Sequence, residues 1–179
     1  MSNRDNGLVA QFIESAQAVG ATVELIHRSP EELNASLVKA TAEDEAVFLA
    51  QPDYLTSELF DLFLHNEKVT GVPTKETLGS ITAGVTDAFC AVASTGSVCV
   101  SVSKNLGSPA SYLTRKHIAV VDANAIVPRP RDVFSGYNIM EKPFARSFSF
   151  ITGPSATADM GPLVIGVHGP GKLHIIVLE

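Results

Sequence analysis

The first seventy residues alternate between helix-like and strand-like segments, and this alternation limits the fold more than any other feature. Each predicted helix is followed by a predicted strand. The start of the second helix is marked by Ser29, Pro30 and Glu32, which fit an N-cap, the first helical position and the third. Strands separated by helices need crossover connections and therefore form a parallel sheet. The predicted helices cover residues 7–19, about 30–41 and from 56 onward, and the predicted strands cover 21–27, 46–50 and 68–71.

The middle of the chain has a different pattern. Residues 71–87 contain Gly, Pro and Thr without periodicity and are predicted to be a connector. Residues 88–94 are apolar, residues 97–103 alternate strictly between Val and small polar side chains, and Thr95-Gly96 lies between the two runs. This pattern predicts an antiparallel hairpin that turns at Thr95-Gly96.

The chain has only two cysteines. A tight turn at residues 95–96 places Cys90 opposite Ser101 and Val92 opposite Cys99. The two thiols are then diagonal neighbours, about 7–8 Å apart at the backbone, which suits a disulfide poorly. Two thiolates are also too few for a zinc site or an iron–sulfur cluster of four cysteines. Both cysteines are therefore predicted to be buried apolar filler.

The rest of the chain returns to the α/β pattern. We expect residues 1–179 to form a single three-layer α/β domain, with a mostly parallel sheet, helices on both faces and the antiparallel hairpin. Its length suits one domain with a substantial core. Further strands are predicted at residues 117–122, 147–152 and 173–178, an apolar stretch at 125–127, and short helices at 109–115, capped by Ser108, and at 131–137.

Charge and hydropathy exclude several classes of function. The net charge is -6 and the pI is about 5.3, whereas binding to a phosphate backbone needs a basic surface, so nucleic acid is excluded as a main partner. Arg129 and Arg131 form the only compact basic spot, which fits a solvated loop or, alternatively, an anion clamp. No apolar run approaches the roughly 18 residues of a membrane span, and no export signal follows Met1. We therefore expect a soluble cytoplasmic protein without a membrane span.

Two loops rich in glycine and proline lie close to the C-terminus. TGPSATAD occupies residues 152–159 after a predicted strand, and GVHGP occupies residues 166–170 before the last strand. Loops at the ends of buried strands are where α/β proteins place binding groups. We therefore expect these loops and the Thr95–Ser97 turn to converge on a shared crevice.

Several phrases of the sequence, taken together, resemble the LUD domain family in its short lactate utilization protein C form. They occur in the family's order and spacing, and the match is good over residues 80–179, whereas residues 1–70 agree in the order and length of elements more than in motif. The phrases are GVTDAFCAVASTGS at residues 84–97, HIAVV at 117–121, IVP at 126–128, TGPSATAD at 152–159, GVHGP at 166–170 and LHIIVL at 173–178.

The resemblance implies a fold and a pathway. The implied fold is that of the ribose-5-phosphate isomerase, glucosamine-phosphate deaminase and CoA transferase group. The implied role is that of an accessory protein in the oxidation of lactate to pyruvate, acting with iron–sulfur proteins that carry the clusters, so that this chain itself binds no cofactor. Two alternatives stay open: a stand-alone isomerase- or CoA-transferase-like enzyme acting on a phosphorylated or acyl substrate, and a pure interaction domain. Homo-oligomerisation also stays open.

The chain departs from the family pattern at two positions. Ser94 occupies the position where the family usually has a glutamate before the Thr-Gly turn. The family also usually has Ile-Glu after the Asp of Thr-Ala-Asp, where this chain has Met160-Gly161. Any acid/base or nucleophilic role of those two glutamates therefore does not transfer to this chain.

The site prediction rests on small donors and two titratable residues. A helix beginning near Thr157 would direct free N–H groups at a small organic acid or phosphate. Asp159 is the candidate general base or hydrogen-bond acceptor, and His168 is the candidate for proton transfer. Turn formation and helix capping explain the same residues without function. No metal site is indicated, because the histidines are scattered. The predicted ligand-binding residues are Thr95, Gly96, Ser97, Gly153, Pro154, Ser155, Thr157, Gly166 and Gly169.

Overall fold

A six-stranded parallel sheet forms the centre of the protein. The computed structural model describes residues 3–102, 105–136, 147–158 and 161–179. The inner strands are largely buried because both of their faces are covered. Numbered along the chain, the strands lie in the spatial order β1 (Thr22–Ile26), β12 (Lys172–Leu178), β7 (Lys116–Asp122), β4 (Ala83–Ala88), β2 (Val47–Leu49) and β3 (Val69–Thr70).

A second, smaller sheet packs on one face of the central sheet. The hairpin strands pair antiparallel, and the outer strands extend them on both sides. Its order is β8 (Ile126–Val127), β5 (Cys90–Val92), β6 (Ser97–Ser101) and β9 (Phe148–Ile151). A separate antiparallel ribbon joins β10 (Ala156–Thr157) and β11 (Val164–Ile165).

Helices cover both faces of the central sheet. On one face, Leu33 and Leu37 of the second helix pack with Phe60 and Phe63 against the sheet. On the other face, Phe12 of the first helix packs in a core shared with the small sheet. The three-layer α/β prediction is therefore confirmed. The helices are α1 (Asn3–Ala18), α2 (Pro30–Ala40), α3 (Asp61–Leu64), α4 (Lys75–Leu78), α5 (Gly107–Tyr112) and α6 (Pro130–Gly136), with 3-10 turns at Ser57–Leu59 and Ala123–Ala125.

The predicted N-cap residues of two helices had different outcomes. The Ser29 hydroxyl accepts a hydrogen bond from the backbone N–H of Glu32 at 3.1 Å, as its pattern predicts. The predicted cap at Ser108 is wrong, because α5 already begins at Gly107 and its N-cap residue is Leu106 with a positive φ of 65°. In the part of the chain that the structure describes, no helix is both long and apolar enough to cross a membrane.

The prediction of a connector over residues 71–87 is wrong, since it contains α4 and most of β4, a central strand. β4 has the sequence AGVTDA, which lacks the dense apolar pattern of a buried strand, although all six residues are buried. A small residue in β4 allows a neighbouring helix to pack closely against the strand. A Cβ on Gly84 would lie 2.0 Å from the carbonyl oxygen of Ala110 in α5, so only glycine permits this approach.

The predicted hairpin register is also wrong. Cys90 lies directly opposite Cys99, and Val92 lies opposite Ser97, because the connection spans four residues, 93–96, instead of two. The N–H of Gly96 donates to the carbonyl of Val92 at 2.9 Å and closes this longer turn. Both cysteines are free thiols, and both are buried as expected.

Candidate ligand-binding crevice

The two predicted loop regions meet through a chain of hydroxyl groups. The pairing of β6 with β9 brings Ser97 beside Thr152, and their hydroxyl oxygens lie 2.7 Å apart. The hydroxyl of Thr95 lies 2.7 Å from that of Ser97. The Thr95–Ser97 turn and the loop after β9 therefore lie on the same side of the molecule.

Two of the predicted binding glycines pack against the end of α1. Gly96 has φ 65° and Gly153 has φ 71°, a conformation that favours glycine. A Cβ on Gly96 would lie 2.3 Å from the backbone nitrogen of Ala16, and one on Gly153 would lie 2.3 Å from the carbonyl oxygen of Val19. The structure thus gives both glycines a packing role, and a ligand contact for them stays a prediction.

The second glycine-rich loop is tied to the first by backbone hydrogen bonds. The N–H of Ser155 donates to the carbonyl of Pro170, and the N–H of Gly166 donates to the carbonyl of Ser155, each at 2.8 Å. A Cβ on Gly169 would lie 3.1 Å from the Cβ of Ser155, so the two loops touch there. The loops form one unit.

A cavity of about 480 Å³, here called the loop crevice, opens between these loops and the sheet. Of the predicted positions, Gly153, Pro154, Ser155, His168 and Gly169 line it. Thr157 lies in β10 and Gly166 directly follows β11, and neither is part of the lining. The remaining lining residues are Ser111, Tyr112, His117, Phe150, Ile151, Thr152, Ala156, Pro170 and Leu173.

The loop crevice lies at the amino edge of the parallel sheet. The second loop directly precedes β12, and His117 and Leu173 are the second residues of β7 and β12. Open α/β sheets usually bind ligands at the carboxyl ends of their strands. The two glycine-rich loops therefore meet at the crevice, whereas Thr95, Gly96 and Ser97 are not part of its lining. The crevice lies at the edge opposite to the one that the general rule for α/β sheets favours.

His117 is a site residue that the sequence did not single out. Its side chain is buried, and its Nε2 lies 2.8 Å from the hydroxyl of Thr86. Its Nδ1 has no hydrogen-bond partner within the described ranges. Burial lowers the pKa of His117 from 6.5 to about 3, so the ring is neutral. The only signal in the sequence was an imidazole at the start of an otherwise apolar strand.

The two predicted catalytic residues have different outcomes. His168 is exposed and lines the loop crevice. Asp159 lies outside the described residues, so its role stays a prediction. The helix expected near Thr157 is wrong, because Thr157 belongs to β10 and pairs with Val164. The alternating Thr and Ala residues there form an edge strand, and no helix N-terminus supplies donors at this point.

At the carboxyl edge, a second missed residue, Asp87, holds a loop in place. Its carboxylate accepts hydrogen bonds from the backbone N–H groups of Asp53, Tyr54 and Leu55, at 2.6 to 3.1 Å. Burial raises the pKa of Asp87 above its usual value, although these three donors act in the opposite direction. Asp87 lies in the segment that the sequence pattern predicted to be a connector, so its burial in β4 was not foreseen.

A metal site is not indicated by the residues that the structure describes, since no group of three His, Cys, Asp or Glu side chains is close enough to hold an ion. The titratable groups at the loop crevice are imidazoles and a phenol, namely His117, His168 and Tyr112. Hydroxyl and imidazole groups, and no carboxylate, therefore characterise its described lining.

Comparison with known proteins identifies the family. The model of the LUD domain matches residues 9–178. The chain belongs to the LUD domain family. A crystal structure of a DUF162 family protein from Deinococcus radiodurans has the same fold, with a TM-score of 0.68 at 19% identity over 100% of this chain and 99% of the other.

Curated relatives of this LUD domain bear the name lactate utilization protein C. The one from Macrococcus caseolyticus is 32% identical over 126 residues, which is 68% of this chain and 54% of the relative. Those from Bacillus licheniformis and Bacillus subtilis are 36% and 34% identical over 103 residues, each covering 54% of this chain and 42% of the relative. The chain thus spans about half the length of the curated relatives that it matches.

Proposed function

We propose that this LUD domain is an accessory protein of lactate utilization that binds a small organic anion in the loop crevice and acts with iron–sulfur proteins. The observation that carries the proposal is a crevice whose described lining offers hydroxyl, imidazole and amide donors without a carboxylate. Relatives named lactate utilization protein C support lactate or pyruvate as the anion.

The chemistry of the lining suits a hydroxy or keto acid. Ser155 and Tyr112 carry hydroxyl groups that can donate to a carboxylate, and His168 adds an exposed imidazole. The neutral ring of His117 leaves Nδ1 for one more hydrogen bond, because Nε2 is engaged by Thr86. An α-hydroxyl or α-keto oxygen is a suitable partner for such a group. Apolar Ile151 and Leu173 can contact a short carbon chain.

The accessory role follows from electron balance. Oxidation of lactate to pyruvate releases two electrons and two protons, which need an acceptor. We propose that iron–sulfur clusters of partner proteins take the electrons, and that this chain contributes binding. Its two thiols lie buried in the small sheet and are too few for a cluster of four cysteines.

Arg129 and Arg131 mark the surface that we propose for these partners. Both are exposed at the start of α6, and the guanidinium of Arg131 lies 3.6 Å from the carboxylate of Asp132. Reversing both charges to Glu is expected to abolish co-purification with cluster-containing proteins while the melting temperature is kept. Unchanged co-purification would remove this surface from the proposal.

Growth on lactate tests the proposed role. A strain that lacks this gene is complemented with the wild type, with Ser155→Ala and with His168→Ala, and with exposed Val72→Ala as control. We expect slower growth on lactate for the two crevice variants and normal growth for the control. Asp159→Asn tests the predicted acceptor in the same strain. Normal growth of a strain without the gene would refute the pathway assignment.

A thermal-shift screen tests ligand binding directly. Saturating lactate or pyruvate is expected to raise the melting temperature, since a ligand that binds only the folded state stabilises it. Ser155→Ala and His168→Ala should reduce the shift. A flat response to both acids would contradict binding in the loop crevice and leave the interaction-domain alternative.

One observation supports the alternative of a stand-alone enzyme. Asp87 is a buried carboxyl at the carboxyl end of β4, the edge where α/β enzymes usually hold catalytic groups. Its three backbone donors are equally well explained by loop anchoring. Turnover of ribose 5-phosphate or of an acyl-CoA that is lost in Asp87→Asn would favour the enzyme.

A further inference from the structure

A second pocket of about 500 Å³ lies at the amino edge of the sheet on the face that α2 covers. We call it the lysine pocket. Its polar side chains on β1 flank Val23, and those on β12 flank Leu173. Because Val23 and Leu173 pack in the core beneath α1, these polar side chains face the opposite side of the sheet. The side chains that define it are Thr22, Glu24, Lys39, Lys116, Lys172 and His174.

Two lysines of this pocket are direct neighbours across the sheet. Lys116 opens β7 and Lys172 opens β12, and the two are register partners in adjacent parallel strands. Like charges at directly opposed positions destabilise a sheet unless a counter-charge is present. The side chain of Lys116 is mostly buried and has its counter-charge, because its Nζ lies 2.6 Å from the carboxylate of Asp44.

Lys172 lacks such a counter-charge. It is exposed and makes no ion pair with any residue that the structure describes. Lys39, on the α2 side of the pocket, is paired with Glu24 at 3.2 Å. Glu24 and Asp44 thus pair with two of the three lysines of the lining, and Lys172 is left without an ion pair among the described residues. This charge favours an anion.

The polar base of the pocket comes from β1 and β12. Thr22 and His174 are register partners, and the Thr22 hydroxyl lies 2.8 Å from Nδ1 of His174. Nε2 of His174 is buried without a hydrogen bond among the described residues, and a carboxylate oxygen of Glu24 lies 3.7 Å away. That oxygen already accepts a hydrogen bond from the hydroxyl of Ser36 at 2.7 Å. The imidazole therefore has a hydrogen-bonding nitrogen left unused at the base of the pocket.

We propose that the lysine pocket binds an oxyanion, the carboxylate or phosphate group of a small metabolite, between Lys172 and Lys116 and next to His174. The anion supplies the counter-charge that Lys172 lacks and a hydrogen-bond partner for the imidazole. This site is separate from the loop crevice on the other face of the sheet, and it does not depend on the role proposed for that crevice.

Titration of the full chain with inorganic phosphate and with pyruvate, followed by calorimetry and by amide chemical shifts, tests the proposal. We expect saturable binding of at least one probe, with shifts at residues 22–24 and 172–174. Lys172→Gln should weaken it about tenfold, which corresponds to about 1.4 kcal/mol. Lys172→Arg should retain it. Arg28→Gln, which removes an exposed charge at the opposite, carboxyl edge of the sheet, should leave the affinity unchanged.

Three outcomes would overturn the proposal. One is the absence of saturable binding of either probe. Another is shifts confined to residues 152–156 and 168–170, which would assign the anion to the loop crevice alone. The last is equal weakening in Lys172→Gln and Arg28→Gln, which would show only general charge screening. The melting temperature of each variant serves as the folding control, and the stronger probe shows whether phosphate or carboxylate is preferred.

Discussion

The Ser97 hydroxyl oxygen lies 2.7 Å from that of Thr152, and this contact joins the hairpin turn to the loop that lines the candidate crevice. Both residues sit at the ends of strands β6 and β9, whose pairing determines their separation. Ser97 is buried, so its hydroxyl depends on Thr152 and Thr95 for hydrogen bonds.

We expect Ser97→Ala to destabilise the protein by about 1–2 kcal/mol, because it leaves partner hydroxyls unsatisfied near the core. Thr152→Val, which keeps the shape of the side chain, should cost a similar amount. The double variant should cost less than the sum of the two, since each removes the same contact. Urea unfolding of the four proteins measures this coupling. Strict additivity would show that the hydroxyl contact contributes nothing.

Gly96→Ala is expected to be severely destabilising, since its Cβ would lie 2.3 Å from the backbone of Ala16 and its φ is 65°. Gly7→Ala is the matched control. Gly7 is exposed within α1 and has no atom near its Cβ position. That substitution should stabilise the protein by roughly 0.5–1 kcal/mol, because alanine loses less entropy in a helix. Melting temperatures that change in the same direction would contradict this prediction.

The protein should become less stable as the pH decreases, because of His117. The pKa of His117 is about 3 in the folded state and 6.5 for an unperturbed imidazole, so the unfolded chain binds the extra proton between these two pH values. The contribution is complete above pH 6.5 and is lost progressively as the pH falls towards 3. Between pH 7 and 4.5 this amounts to roughly 2–3 kcal/mol. His117→Gln should show a correspondingly shallower decline in urea unfolding, and equal slopes would exclude a buried neutral imidazole.

Asp87→Asn should loosen the loop over residues 53–55. The amide side chain keeps only one acceptor oxygen for the three N–H groups that the carboxylate now accepts. We expect faster hydrogen exchange at Tyr54 and Leu55 and a loss of about 1–3 kcal/mol. Asp61→Asn, an exposed carboxylate in α3, should change stability by less than about 0.5 kcal/mol.

The pH dependence of Asp87 has the opposite sign to that of His117. The raised pKa of this carboxyl means that the folded state holds the proton more tightly than the unfolded state. Its contribution is therefore present at low pH and is lost as the pH rises through the folded pKa. Removing this carboxyl should make the decline of stability on acidification steeper, and a shallower decline in Asp87→Asn would contradict the direction of the shift.

Local sequence signals determined the elements and the order of the layers. The helix start at Ser29, the alternation of strands and helices, and the convergence of two glycine-rich loops all follow from patterns within short windows. Such patterns report periodicity and backbone freedom, which depend on neighbouring residues alone.

Only the tertiary structure decided what depends on pairing between distant segments. The place of β4 at the centre of the sheet and the amino-edge location of the crevice follow from strand neighbours far apart in sequence. The register of Cys90 with Cys99 follows from the length of the hairpin connection, which the sequence pattern did not reveal. The same holds for His117 and Lys172, because burial and the repulsion of a neighbouring lysine exist only once the strands lie side by side. A side chain's neighbours across a sheet, and hence its charge state and its free hydrogen-bonding groups, are set by packing and are absent from local periodicity.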